Sequence, residues 1–146
     1  MTEISQTILI DAPVNKVFSY ASNYLNWSKF FVGLSDVNPL TEEVHNNGAK
    51  FLYKVKMMGL KVKVGTEFQQ FKENEGWIGK SFKGLEHQTQ WNFKKVNSQT
   101  EFTYTQKYVF PFYMGGKLID KLFLQDTWKE IINKSLQNLK KATEEK

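Results

Sequence analysis

The stretch from Gly115 to Lys146 constrains this chain most. Past Gly116 it holds neither proline nor glycine, and Leu124, Trp128, Ile131, Ile132, Ser135, Leu139 and Ala142 step by three and four. At about 100° per residue these side chains share one stripe, which predicts a single long C-terminal helix with one face buried. Almost everything upstream alternates with period two, so the surface that receives the stripe is expected to be a β-sheet. Leu118, Ile119, Leu122 and Phe123 centre more than a quarter turn away from the later stripe. A straight helix cannot bury both groups on one flat surface. Either it bends near Leu124 to Thr127, or its first two turns touch something other than the sheet.

Taken in order, Thr2 to Ile10 alternates with Ile4, Gln6, Ile8 and Ile10 on one side and opens the sheet. Pro13 suits a first helical turn, and Val14, Val17, Phe18 and Ala21 follow at helical spacing, predicting a short helix to about Ser22. A second short helix is read around Tyr24 to Phe31. Asp36 to Val44, with Pro39 inside it, reads as an edge strand, followed by the Asn46-Asn47-Gly48 turn. Phe51, Tyr53, Val55 and Met57, then Leu60, Val62, Val64, Thr66 and Phe68, form the clearest hairpin, with lysines on its other face. Trp77 to Phe82, His87 to Lys94 and Thr100 to Phe110 complete seven strands, and the Thr143 to Lys146 tail reads as frayed. With no linker or repeat, residues 1–146 read as one α+β domain, long enough to hold its own core.

The chain has no cysteine, so disulfides and thiolate metal sites are excluded. No stretch approaches the length of an apolar membrane span, and the start lacks an export signal, which makes a cytoplasmic protein the expectation. The net charge of +5 comes from lysine alone. Without arginine's bidentate fork, sequence-specific nucleic-acid reading is disfavoured. Twelve Phe, six Tyr and four Trp exceed what a plain small core needs, leaving some to line a pocket.

The order of a strand, the Ile-Asp-Ala-Pro-Val-Asn-Lys-Val-Phe segment (Ile10 to Phe18), two short helices containing Trp27, six strands and a long closing helix resembles the START/SRPBCC superfamily, most closely its polyketide cyclase/dehydrase-like branch. The resemblance implies a helix-grip fold, in which a curved seven-stranded antiparallel sheet wraps the C-terminal helix around an apolar cavity. It further implies binding of a lipid, quinone, polyketide or similar hydrophobic molecule. The alternatives are a cyclase or dehydratase using His87 or a cavity tyrosine, and a protein-interaction module like the chaperone activators of the same superfamily.

Familiar catalytic motifs are missing. Gly79-Lys80-Ser81-Phe82-Lys83-Gly84 has one residue too many for a nucleophile elbow, and Gly115-Gly116-Lys117 lacks the spacing of a phosphate loop. His45 and His87 stand far apart in sequence, so neither a metal nor a cofactor is expected. Binding is therefore favoured over catalysis. Strand parity and the aromatic excess place Tyr53, Val55, Val64, Phe68, His87, Trp91, Phe93, Tyr104, Gln106, Leu122 and Trp128 around the expected cavity. His87 is the one titratable group that parity turns inward, although its position near the Gly84 turn suits a solvated or backbone-bonded side chain better than a catalytic one. The hairpin carrying Lys54, Lys56, Met57, Met58, Lys61 and Lys63 suits transient contact with an anionic membrane surface, or its lysines serve only to keep an edge hairpin soluble.

Overall fold

The structure is a computed structural model that describes residues 2–57, 59–110 and 116–145, without the side chains of Met57, Lys117, Leu122 and Phe123. Seven antiparallel strands lie in the order β1-β7-β6-β5-β4-β3-β2. They are β1 Thr2–Ile10, β2 Leu34–Pro39, β3 Lys50–Met57, β4 Leu60–Lys72, β5 Gly76–Lys83, β6 His87–Val96 and β7 Gln99–Tyr108. The helices are α1 Val14–Ser22, α2 Trp27–Phe30, α3 Gly116–Ile119 and α4 Gln125–Glu144. This is the helix-grip architecture. The edge strand is Leu34–Pro39 and not Asp36–Val44, because its pairing with β3 ends at Pro39, opposite Phe51.

Inserted residues curve the sheet. Asp36 (φ 55) and Gln70 (φ 51) sit at register shifts of β2 and β4, where an extra residue bends the strand. The Gln70 bulge also resets strand parity, so Phe68 and Phe71, three apart, both turn to the core. On the convex face the Phe82 ring covers Gly65, where an added Cβ would lie 2.7 Å from the ring.

The C-terminal segment explains its own misaligned stripe. Between α3 and α4, residues Asp120–Leu124 form a π-helical turn closed by the Gln125 N–H donating to the Asp120 carbonyl. One extra residue in a turn rotates everything beyond it by about 100°, the size of the offset between the two apolar groups, and of the earlier group Leu118 stays exposed while Ile119 packs against the core. α4 then packs against β1 with α1 and α2 beside it, burying Trp128, Ile132, Ser135, Leu136, Leu139 and Thr143. The tail is not frayed through Glu144. Thr143 is 1% exposed and its hydroxyl donates to the Leu139 carbonyl at 2.8 Å, while Glu144 accepts from the Asp11 N–H at 2.7 Å.

Among the described residues no helix is long and apolar enough to cross a membrane.

Candidate functional site

Between the concave face of β3–β7 and the helices lies a cavity whose volume open to the centres of water-sized molecules is about 80 Å³. The sheet contributes Tyr53, Val64, Thr66, Phe68, Trp77, Thr89, Trp91, Tyr104, Gln106 and Tyr108. Trp27 and Phe31 close it from the α2 corner, Leu34 and Leu85 from the strand ends, and Trp128 from α4. The wall is mostly aromatic. Trp77 and Trp91 are cross-strand partners with rings stacked at 4.8 Å, and Trp91 meets Tyr104 edge-on at 5.3 Å. Such pairs contribute ~0.5–1.5 kcal/mol beyond their burial and make the wall stiff.

His87 also lines the cavity and anchors a polar chain. Its Nδ1 lies 2.8 Å from the Leu85 carbonyl, which can only accept, so Nδ1 carries the proton. Burial pushes the His87 pKa below its usual value, and the Leu85 bond opposes this only in part, so the ring is neutral near pH 7. Nε2 is then an acceptor for the Thr66 hydroxyl at 2.8 Å, and the Thr66 oxygen in turn accepts from the Tyr53 hydroxyl at 2.8 Å. The hydrogen-bond chain thus runs one way, from Tyr53 through Thr66 to His87. Gly79 makes room for it, since a Cβ there would meet Thr89 Oγ1 at 2.6 Å and Thr66 Cγ2 at 2.8 Å. His87 is thus a wall residue bonded to the backbone at Leu85, one of the two environments its sequence position suggested, and is not solvated.

A second polar chain crosses the wall where the Tyr104 hydroxyl donates to Gln106 Oε1 at 2.9 Å. Burial, and secondarily the neighbouring Tyr53, hold the Tyr104 pKa well above its usual value, and burial raises that of Tyr53. Behind the wall, Asp120 is 3% exposed and accepts from the Tyr108 hydroxyl, from the Thr2 hydroxyl at 2.5 Å and from Gln125 Nε2 at 3.3 Å. Burial first, then the bond to Asp120 and its charge, push the Tyr108 pKa far up. These contacts tie one end of the β1–β7 pair, where Thr2 faces Tyr108, to the π-helical turn.

Of the side chains that parity pointed inward, Tyr53, Val64, Phe68, His87, Trp91, Tyr104, Gln106 and Trp128 meet in this wall. Phe93 does not. It lies further along β6, packed edge-on against Phe18 of α1 at 5.2 Å and stacked on Phe102 at 4.7 Å, where the helix fills the space. Val55 is half-buried at the β2 edge, opposite Leu34 and Val62, and is not part of the wall. The Leu122 side chain is outside the described residues. Thr66 could have been found from its parity with Val64 and Phe68, whereas Trp27, Phe31, Leu34 and Leu85 reach the cavity from helix and loop positions that strand parity does not cover.

Among the described residues, no group of three or more His, Cys, Asp or Glu side chains is placed to hold a metal ion.

Solved structures share this arrangement over nearly their whole length. TTHA0849 from Thermus thermophilus superposes with a TM-score of 0.80 at 19% identity, covering 96% of this chain and 95% of that one. The Zhui aromatase/cyclase from Streptomyces sp. R1128 gives 0.72 at 11% identity, covering 94% and 93%. A START superfamily protein from Mycobacterium smegmatis gives 0.69 at 13%, covering 97% and 94%. At these identities the likeness is one of fold. Comparison with curated protein sequences finds no match. The family model described as polyketide cyclase / dehydrase and lipid transport matches residues 1–144, which include every residue of the cavity wall, and the chain belongs to that family.

Proposed function

We propose that this domain binds a small hydrophobic ligand, such as a lipid, quinone or polyketide, in the cavity between sheet and C-terminal helix, as a cytoplasmic carrier or sequestering protein. The carrying observation is the wall itself, a set of stiff aromatic and aliphatic groups interrupted by a few fixed polar ones, the usual make-up of a small-molecule site. On the same volume measure one water needs ~10–15 Å³. The cavity's 80 Å³ therefore suits a ring-sized group, and a longer ligand needs the wall to give way. Val64 is 2% exposed and stands in the wall, so Val64→Trp fills the space. The expected result is loss of N-phenylnaphthylamine uptake, followed by fluorescence, with a cooperative melt retained. Unchanged uptake in the folded variant places the site elsewhere.

One observation favours a cyclase or dehydratase reading. The neutral Nε2 of His87 is a base linked through Thr66 to the Tyr53 hydroxyl, a path along which a proton taken from a ligand can be shared. Under this reading a β-hydroxy ketone probe loses water in the presence of the protein, and His87→Gln abolishes that loss while retaining binding.

Membrane contact rests on a different feature. In the β3–β4 hairpin Lys54 stands opposite Lys63 and Lys56 opposite Lys61, while Leu60 at the tip is 62% exposed. The side chains of Met57 and Met58, expected to share that tip, lie outside the described residues. Like charges directly opposite one another destabilise a strand pair, which an anionic surface would relieve. Sedimentation with anionic vesicles at low salt, lost when Lys54, Lys56, Lys61 and Lys63 become Gln, is the expected result. Failure of the wild type to pellet refutes it.

A further inference from the structure

Most hydrogen-bond donors in the cavity wall are already spent on partners within the protein. Tyr53 gives its hydroxyl hydrogen to Thr66, Thr66 to His87, Tyr104 to Gln106 and Tyr108 to Asp120. The His87 Nδ1 hydrogen goes to Leu85, and the Trp27 indole N–H donates to the Ala21 carbonyl at 2.8 Å. Trp128 breaks the pattern. It is 6% exposed, it lines the cavity, and its indole Nε1 is the buried side-chain nitrogen or oxygen without a partner among the described residues. A buried donor left unpaired costs about 1–3 kcal/mol, so in a folded protein it calls for an explanation. Gln106, 7% exposed, spends its Oε1 on Tyr104 and keeps its amide N–H groups for the cavity. The Thr89 hydroxyl can donate or accept and sets no preference.

We propose, building on the cavity as the binding site, that it selects neutral apolar molecules carrying a carbonyl-type acceptor, and that Trp128 Nε1–H and Gln106 Nε2–H are the donors that receive it. A carbonyl oxygen in the cavity accepts from the unpaired Trp128 N–H, whereas a hydrocarbon of the same shape leaves it unpaired. Charge narrows the class further. Among the described residues the wall holds no lysine, aspartate or glutamate, and burial keeps His87 neutral near pH 7. A carboxylate or ammonium would be buried with no counter-charge, a cost that neutral ketones, quinones, esters and lactones avoid. Free fatty acids and amines are thereby excluded, and Trp128 and Gln106 become the specificity-determining residues.

Three probes of matched ring size separate the possibilities: α-tetralone, a neutral ketone; tetralin, the same rings without oxygen; and naphthoate, an anion. Affinities are measured by calorimetry, and contacts by the indole N–H resonances of the nitrogen-labelled protein, with that of Trp128 assigned by its loss in Trp128→Phe. The expected result is that α-tetralone binds tighter than tetralin by about 2- to 12-fold per donor engaged, that it moves the Trp128 indole resonance where tetralin does not, and that naphthoate is rejected. Trp128→Phe and Gln106→Leu each reduce the ketone preference, and the wild-type resonance shift stands as the test should either variant fold poorly. Equal binding of α-tetralone and tetralin, an unmoved Trp128 resonance, or naphthoate binding as tightly as the ketone overturns the inference while leaving the cavity as the site. If none of the probes shifts any wall resonance, the cavity reading itself falls, and this inference with it.

Discussion

Replacing Asp120 with alanine should destabilise the protein strongly although it removes no apolar core. The carboxylate is buried, and its principal donors are cross-strand neighbours far apart in sequence: Thr2 at the start of β1 and Tyr108 at the end of β7. Hydrogen bonds to a charged group contribute ~1.5–3 kcal/mol each, so two strong ones total roughly 3–6 kcal/mol. The Gln125 contact at 3.3 Å adds little. Losing the buried charge returns some desolvation energy, but it leaves the Tyr108 hydroxyl in an apolar wall with nothing to donate to, and that penalty dominates. A chain of 146 residues has a stability of about 7–20 kcal/mol, and each kcal/mol lost lowers its melting temperature by ~2–4 °C. Asp120→Ala should therefore lower the melting temperature by roughly 10 °C or more. A double-mutant cycle with Tyr108→Phe, read by urea unfolding, isolates the pair. Tyr108→Phe should cost about 1.5–3 kcal/mol in the wild type but restore stability, by up to about 1–3 kcal/mol, in the Asp120→Ala background, where it removes the orphaned hydroxyl. A change of under ~1 kcal/mol for Asp120→Ala, or strictly additive mutants, would show that the cluster does not hold the π-helical turn to the sheet.

Acid should destabilise the fold through His87. Its folded pKa lies below the ordinary 6.5, so below that pH the unfolded chain binds more protons than the native one, and stability present above pH 6.5 is lost as pH falls through the folded value. Urea titrations across this range should show that slope in the wild type and a smaller one in His87→Gln; identical slopes would mean that His87 does not carry it. Removing Asp126–Lys146 strips from α4 a face containing Trp128, Ile132, Leu136 and Leu139, worth roughly 6–12 kcal/mol gross at ~1.5–3 each, and should abolish cooperative unfolding by circular dichroism. A truncated chain that stays monomeric and melts cooperatively contradicts it.

Much of the architecture was legible because it rests on local periodicity. Strand parity placed His87, Trp91, Tyr104 and Gln106 on one face, and the helical stripe located α4. The offset of Leu118 and Ile119 from that stripe signalled an irregularity, but not its kind: a wheel registers an angular mismatch, whereas only the backbone shows that Asp120–Leu124 absorb it by underwinding. Parity also gives a face without a depth along it. Phe93 and Trp91 are equivalent by alternation, yet Phe18 covers one and the cavity adjoins the other. Asp120 was invisible as a buried group, because its partners are the hydroxyls of Thr2, 118 residues away, and of Tyr108, and nothing local marks such a meeting.

The α2 corner of the cavity is held by the other end of the chain. The Val32 N–H donates to Ser135 Oγ at 2.9 Å, and Asn138 Nδ2 to the Phe30 carbonyl at 3.1 Å, so the segment bearing Phe31 is pinned by α4 across 103 and 108 residues of sequence. During synthesis, β1 and α2 emerge long before the helix that secures them, and β1 must likewise wait for β7. Closing such long loops is slow, and it comes late. The cavity is thus closed only once α4 has been made, so a chain still lacking that helix has no finished cavity wall.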